Sequence, residues 1–267
     1  MKSYINEIIK KDLSRVENIN LIREYLQKYI LFLLYKNKFY TDIVFTGGTA
    51  LRFFFRLKRF SEDLDFSLSK KAKDYNFKKI LEILKKELIL AGYKVEIKYS
   101  EDKNVNSAFI KFLDLLYEMG ISNDKNEKFS IKLEIDIKPP GGGKEVIDMH
   151  NSVFMFEVKH FDISSLFAGK LHAILCRKFN KGRDYYDLIW YLTKFKDLEP
   201  NIDMLKNAIL QTCSNKVDLN KFNWKKELIK KIAKVDFKEL KKDIVNLLEL
   251  KDEVNILHKE NLINLLK

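Results

Sequence analysis

The chain has 267 residues, of which 46% are hydrophobic and 33% charged, with a formal net charge of +12. This length suits one large domain or two small ones, and the composition excludes a disordered or collagenous chain. The charge favours a polyanionic partner, although a chain this rich in Lys, Ile and Asn can become basic through genome base composition alone.

Residues 1–40 read as helical, with Leu21, Ile22, Tyr25, Leu26, Tyr29, Ile30, Leu33 and Leu34 at helical spacing. Asp42–Phe45 is a short β-branched and aromatic run, followed by Gly47-Gly48. Ala50–Leu57 carries helix formers without a breaker, and Leu64–Leu68 alternates as a half-buried strand would. Asp74–Ala91 is amphipathic, with Phe77, Ile80, Leu81, Leu84 and Leu88 on one face and Gly92 as a stop. Strands are expected at 93–99, 107–113 and 128–138, a sharp loop at Pro139-Pro140-Gly141-Gly142-Gly143, and renewed alternation over 152–160. From Ser164 the chain reads as helices broken near Lys181-Gly182, Pro200 and 213–220. The expected organisation is an α/β half followed by a helical half, without internal repeats.

Cys176 and Cys213 form neither a disulfide framework nor a CxxC zinc pair. The N-terminal MKSYINEIIKKDLSR lacks the apolar core of a signal peptide. The longest apolar run, Tyr29–Tyr35, is far shorter than the roughly 20 residues of a membrane span. A cytoplasmic protein with reduced thiols and no membrane contact is expected.

Four stretches can carry chemistry. In Thr46-Gly47-Gly48-Thr49, adjacent glycines permit positive φ and close backbone approach. The helix that follows offers unpaired N–H groups and a positive dipole end to a phosphate, and Thr49 can cap it or donate to a phosphate oxygen. An ordinary strand-to-helix turn has the same composition. Asp63 and Asp65, at alternate positions of a strand, point to one face; two close carboxylates repel unless compensated, and Mg²⁺ accepts carboxylate and phosphate oxygens together. In Lys132-Leu133-Glu134-Ile135-Asp136-Ile137 the alternation puts Glu134 and Asp136 on one face, so either can supply a third carboxylate, as metal ligand or proton acceptor. Finally, Lys170 and Arg177 share a helix face and can neutralise triphosphate charge, with Asp184 and Asp187 opening the next helix. Those acids can equally pair with Arg177 or Arg183 to join two helices. Five of the seven arginines lie in 52–59 and 177–183, a distribution that fits bidentate contacts to phosphate or carboxylate.

The stretches FTGGTALRFFFRLKRFSEDLDFSL, EIDIKPP and FAGKLHAILCRKFNKGRDYYDLIWYL together resemble the nucleotidyltransferase superfamily of DNA polymerase beta type. Within it the chain is similar to the AbiEii toxins of type IV toxin–antitoxin and phage-resistance systems. The resemblance covers roughly residues 43–192. It departs from the superfamily at Gly48, where a phosphate-touching serine is often found, so the hydroxyl would come from Thr49 or be dispensable.

The resemblance implies an α+β fold. A polymerase-beta-like nucleotidyltransferase domain over 1–162, with a mixed twisted sheet flanked by helices, precedes a helical domain over 163–267 that contributes Lys170 and Asp184. It implies transfer of a nucleoside monophosphate from an NTP, with pyrophosphate leaving and Mg²⁺ held by Asp63, Asp65 and Asp136 or Glu134. Gly47, Gly48, Thr49, Arg59, Ser61, Lys170 and Arg177 would bind the nucleotide, and Asp184 would be catalytically required. The implied acceptor is RNA, at the 3′ acceptor end of tRNA, which would block translation. The implied partner is an AbiEi-type antitoxin with a winged-helix region, which need not touch the toxin. Two other readings keep part of the pattern: the same chemistry on a small molecule or a protein, and a non-catalytic nucleotide- or RNA-binding module.

Overall fold

The computed structural model describes residues 2–213, 219 and 222–267, and its backbone groups into two compact units. The first comprises residues 1–54, 60–138 and 146–160; the second comprises 55–59, 139–145 and 161–267.

In the first unit, helices α1 (Lys2–Ile8) and α2 (Arg15–Lys36) precede strand β1 (Ile43–Thr46), helix α3 (Gly47–Phe55) and strand β2 (Leu64–Leu68). Then come α4 (Phe77–Leu90), β3 (Val95–Glu101), β4 (Val105–Phe112), the short α5 (Leu115–Glu118), β5 (Phe129–Asp136), β6 (Glu145–Asn151) and β7 (Met155–Phe161). The seven strands form one mixed sheet in the order β3-β4-β5-β2-β1-β7-β6. The β2–β5 and β1–β7 pairs are parallel, whereas β1–β2, β3–β4 and β4–β5 are antiparallel.

Local chemistry explains the element ends. Ser14 and Glu17 close a capping box at the start of α2, and Ile22, Tyr25, Leu26, Ile30, Leu33 and Leu34 bury its apolar face. Asn76 caps α4, and Gly92 at φ +91° turns the chain out of it. On β4 and β5 alternation is strict: Asn106, Ala108, Ile110 and Phe112, then Phe129, Ile131, Leu133 and Ile135, are buried, and their neighbours lie on the open face.

Strand β6 was not anticipated from the sequence. It is a sheet edge, and Ile147 and Met149 stay exposed on it. A strand packed along one side only does not need a clean two-residue pattern. Helix α5, four residues long, is too short to establish a periodicity.

The second unit contains α6 (Ile163–Cys176), α7 (Gly182–Lys194), α8 (Ile202–Thr212), α9 (Trp224–Ile232), α10 (Phe237–Ile244) and α11 (Lys259–Leu266). Side chains of Asp162, Asn201, Asn223, Asp236 and His258 cap five of them. The Pro139–Gly143 loop is held by Asn201 and Asn207, whose amides donate to the carbonyls of Gly142 and Gly141. Gly182 starts α7 directly against α10, where a Cβ would strike the Leu240 carbonyl. The expected helix break at 213–220 falls, apart from Cys213 and Leu219, outside the described residues. Cys176 and Cys213, expected as reduced thiols, are joined as a disulfide with Cα atoms 5.8 Å apart. Packing of α6 on α8 brings them together across 37 residues, a pairing that two distant cysteines do not signal in sequence. Among the described residues no helix is long and apolar enough to cross a membrane.

Candidate active site

The site is built on three central strands of the first unit. Sheet register sets Thr46 beside Asp65, Asp65 beside Glu134, and Glu134 beside Ser107. Residues paired across strands point to the same face, so this row lies on the open side, and the buried Phe45, Phe66 and Ile135 row lies beneath. The neighbouring row holds Val44, Ser67, Asp136 and Val105. Register thus puts Glu134 beside Asp65 and sets Asp136 one step further along, beside Ser67.

Strand β1 passes into α3 with no intervening residue, which is possible because Gly47 adopts φ +75°. Gly47 meets a second demand. The Asp65 carboxylate lies directly over it, and a Cβ there would collide with Oδ2. The glycine makes room for a carboxylate at the N-terminal end of α3, where the helix dipole favours negative charge.

Thr49 does not serve as the phosphate donor expected of it. Its side chain is fully buried, and its hydroxyl donates to the Asp63 carbonyl. It fixes the backbone from which the first aspartate projects. Ser61 is also buried, and its carbonyl accepts from Gln27 Nε2 at 3.0 Å. Arg52 pairs with Glu24 and lies over the Phe60 ring, 4.1 Å from its centroid. Arg23 stands in the field of Glu62 and Asp63; burial lowers its pKa, and the two carboxylates only partly offset this. Helix α2 therefore braces the Phe60–Asp63 approach with Arg23, Glu24 and Gln27.

The two remaining acids differ. Glu134 pairs with Lys132 at 2.7 Å. Asp136 accepts the Lys138 N–H at 2.9 Å, and burial raises its carboxyl above the ordinary range despite that bond. Among the described residues no three His, Cys, Asp or Glu side chains converge closely enough to hold a metal ion by themselves. Asp65 on β2 and Asp63 just before its first residue, with the Gly47 cradle beneath Asp65, fit a Mg²⁺ that also takes phosphate oxygens and water, as this ion does in nucleotide sites.

The second unit brings together a different set. Arg59, expected at the nucleotide, is 1% exposed and makes a bidentate pair with Asp187, Nε–Oδ1 and Nη2–Oδ2 both 2.6 Å. Lys170 Nζ reaches Asp187 Oδ2 at 2.7 Å and Asp184 Oδ1 at 3.2 Å, and Arg177 closes on Asp184 Oδ2. Burial raises the Asp187 carboxyl, but Arg59 and Lys170 outweigh it and hold the group below its ordinary value. The arginines at 52, 59 and 177 thus meet carboxylates of this chain.

The family model for AbiEii, the nucleotidyl transferase toxin of type IV toxin–antitoxin systems, matches residues 29–258. The chain belongs to the AbiEii family of nucleotidyltransferase toxins. No curated protein sequence matches it. The structure of JHP933 from Helicobacter pylori is similar, with a TM-score of 0.54 at 20% identity, covering 92% of this chain and 90% of that one. The nucleotidyltransferase toxin MenT4 from Mycobacterium tuberculosis is similar with a TM-score of 0.63 at 15% identity, covering 100% of this chain and 89% of that one. These likenesses carry the fold: a mixed sheet with flanking helices of the nucleotidyltransferase toxin type. The AbiEii chain is accordingly a nucleotidyltransferase that uses an NTP, and its system includes an antitoxin.

Sequence reasoning missed the side chains that support this candidate site. Asn20, Arg23, Glu24 and Gln27 recur at three- and four-residue steps along α2, a polar stripe whose burial needs partners. That stripe was a readable signal.

Proposed function

We propose that this chain transfers a nucleoside monophosphate from an NTP to RNA, at the acceptor end of tRNA, and thereby blocks translation as a cytoplasmic toxin. The observation that carries the reading is the Asp65 carboxylate seated over Gly47 at the start of α3, with Glu134 beside it in register. Asp63 and Asp65 would hold Mg²⁺, and the register favours Glu134 over Asp136 as the third acid near them. When bound, the ion stabilises charge on the phosphate and leaving oxygens.

The chain's own residues do the rest. N–H groups at Gly47, Gly48 and Thr49, at the start of α3, would take the phosphate oxygens. An acceptor hydroxyl attacks the α-phosphorus in line; the new O–P bond forms as the α–β anhydride bond breaks and pyrophosphate leaves. Asp136, on the same strand face as Glu134 and two residues along it, with burial raising its affinity for a proton, would take the hydroxyl proton. Lys170, Arg177 and Asp184 keep the roles the family resemblance implies, the cations offsetting phosphate charge and Asp184 orienting Lys170. Arg59 and the Thr49 hydroxyl act through position only. The net charge of +12 supports a nucleic-acid acceptor. An AbiEi-type antitoxin would oppose the toxin without necessarily binding it, in a phage-defence setting.

The test is incubation of the purified chain with Mg²⁺, total cellular RNA and each labelled NTP in turn. Wild type should label RNA, and Asp63→Ala should label none while keeping its circular dichroism spectrum. Absence of labelled RNA with all four NTPs overturns the reading, and label on an acceptor smaller than nucleic acid replaces it with small-molecule or protein modification.

A further inference from the structure

On the open sheet face next to the carboxylate row lies a row of different chemistry. Register pairs Lys98 with Phe109 and Phe109 with Lys132. The Ser107–Glu134–Asp65 row lies one two-residue step away, about 7 Å along the strands. Phe109 is 44% exposed, although it sits mid-strand on β4 with a paired strand on either side. Every alternate residue of that strand, Asn106, Ala108, Ile110 and Phe112, is buried. Lys98, its side chain 66% exposed, pairs with Glu96 at 3.8 Å, and Lys132 Nζ lies over the Phe109 ring, 5.7 Å from its centroid, while bonding Glu134.

A single exposed apolar side chain is ordinary on a protein surface. An exposed phenylalanine on the open face of a pleated sheet, flanked in register by two lysines and one step from candidate catalytic acids, is a more specific arrangement. Sheet-borne aromatics stack unpaired bases, with neighbouring cations on the phosphates. We propose that the Lys98–Phe109–Lys132 row is a stacking platform for an unpaired base near the single-stranded end of the nucleic-acid acceptor. The proposal rests on the RNA-acceptor reading and deepens it. It assigns the acceptor's terminal bases to β3–β5 and makes a free, single-stranded end the feature that is recognised. Base pairs inside a duplex present no open face to the ring, so a long duplex, open only at its two ends, gains nothing measurable from Phe109.

The test measures binding without NTP, so it does not depend on catalysis. Fluorescence anisotropy with a short labelled single-stranded RNA should show Phe109→Ala weakening binding by about 5- to 150-fold, the range for one lost stacked base. Phe109→Trp should bind like wild type, and long duplex RNA should bind wild type and Phe109→Ala equally. Equal binding of single-stranded RNA by wild type and Phe109→Ala overturns the platform, as does failure of wild type to bind it. An effect of Phe109→Ala confined to the KM for NTP assigns the ring to the nucleotide and also overturns it. RNA that binds through Phe109 but is never labelled would sink the transfer reading and leave the platform standing. RNA labelled equally well by the variant would do the reverse.

Discussion

Gly47 shows how one residue can serve backbone and site together. Its φ of +75° turns a strand into a helix, and its missing side chain leaves room for Asp65. Gly47→Ala should therefore act twice. The left-handed backbone costs about 1–2 kcal/mol for a residue with a Cβ, and the displaced carboxylate should lower transfer by about 100-fold, as a shift of ~1 Å in a reacting group does. A transfer assay beside a urea unfolding curve separates the two. Asp136 carries a second prediction. Burial raises its pKa, and the proposed base works only when deprotonated. Activity should fall as pH drops through a value above that of an ordinary aspartate, and Asp136→Asn should remove that acid limb from the kcat/KM profile. The alternation of Lys132–Ile137 placed Glu134 and Asp136 on one face, which is the open face of the sheet, but could not separate them. Separation needed the strand register, which is a property of pairing. Thr49 was legible as a polar residue at a helix start; that its hydroxyl points to the Asp63 carbonyl depends on where the chain returns after α3.

At the scale of elements, helices and strands are legible where periodic burial is strong, as in α2, α4, β4 and β5, and are missed where burial is one-sided, as in β6. The second unit adds a tie between the 55–59 segment and α7, the buried Arg59–Asp187 pair. Removing one partner of such a pair strands a buried charge and costs about 3–5 kcal/mol, so Asp187→Ala should lower the urea midpoint sharply. Arg59→Met with Asp187→Leu should recover much of that loss. Because the Asp187 pKa is depressed, its stabilisation is complete above the ordinary aspartate pKa and drains away as pH falls through the lower native value. Unfolding curves measured down through that range should converge for wild type and Asp187→Ala. The sequence offered Arg177 and Arg183 as partners for Asp184 and Asp187; the structure pairs Asp187 with Arg59, 128 positions away, a distance at which charge pattern carries no information.

For the whole molecule, the chain divides into an α/β unit and a helical unit, with the segments 55–59 and 139–145 grouped with the helical one. That interleaving follows from contacts between residues distant in the chain, so no composition shift marks it. By itself the sequence determined the chemistry available: paired aspartates at the start of a strand, a glycine turn before a helix, a second acidic strand, and enough ordered motif to place the chain near the AbiEii toxins. It could do so because side-chain periodicity and residue type are local properties. The tertiary structure alone decided which groups meet: Asp65 over Gly47, Glu134 rather than Asp136 beside it, Thr49 on the Asp63 backbone, Arg59 on Asp187, and Phe109 open between two lysines. Each of these depends on strand register or on long-range packing, and a shift of one residue in register would turn every such side chain to the opposite face.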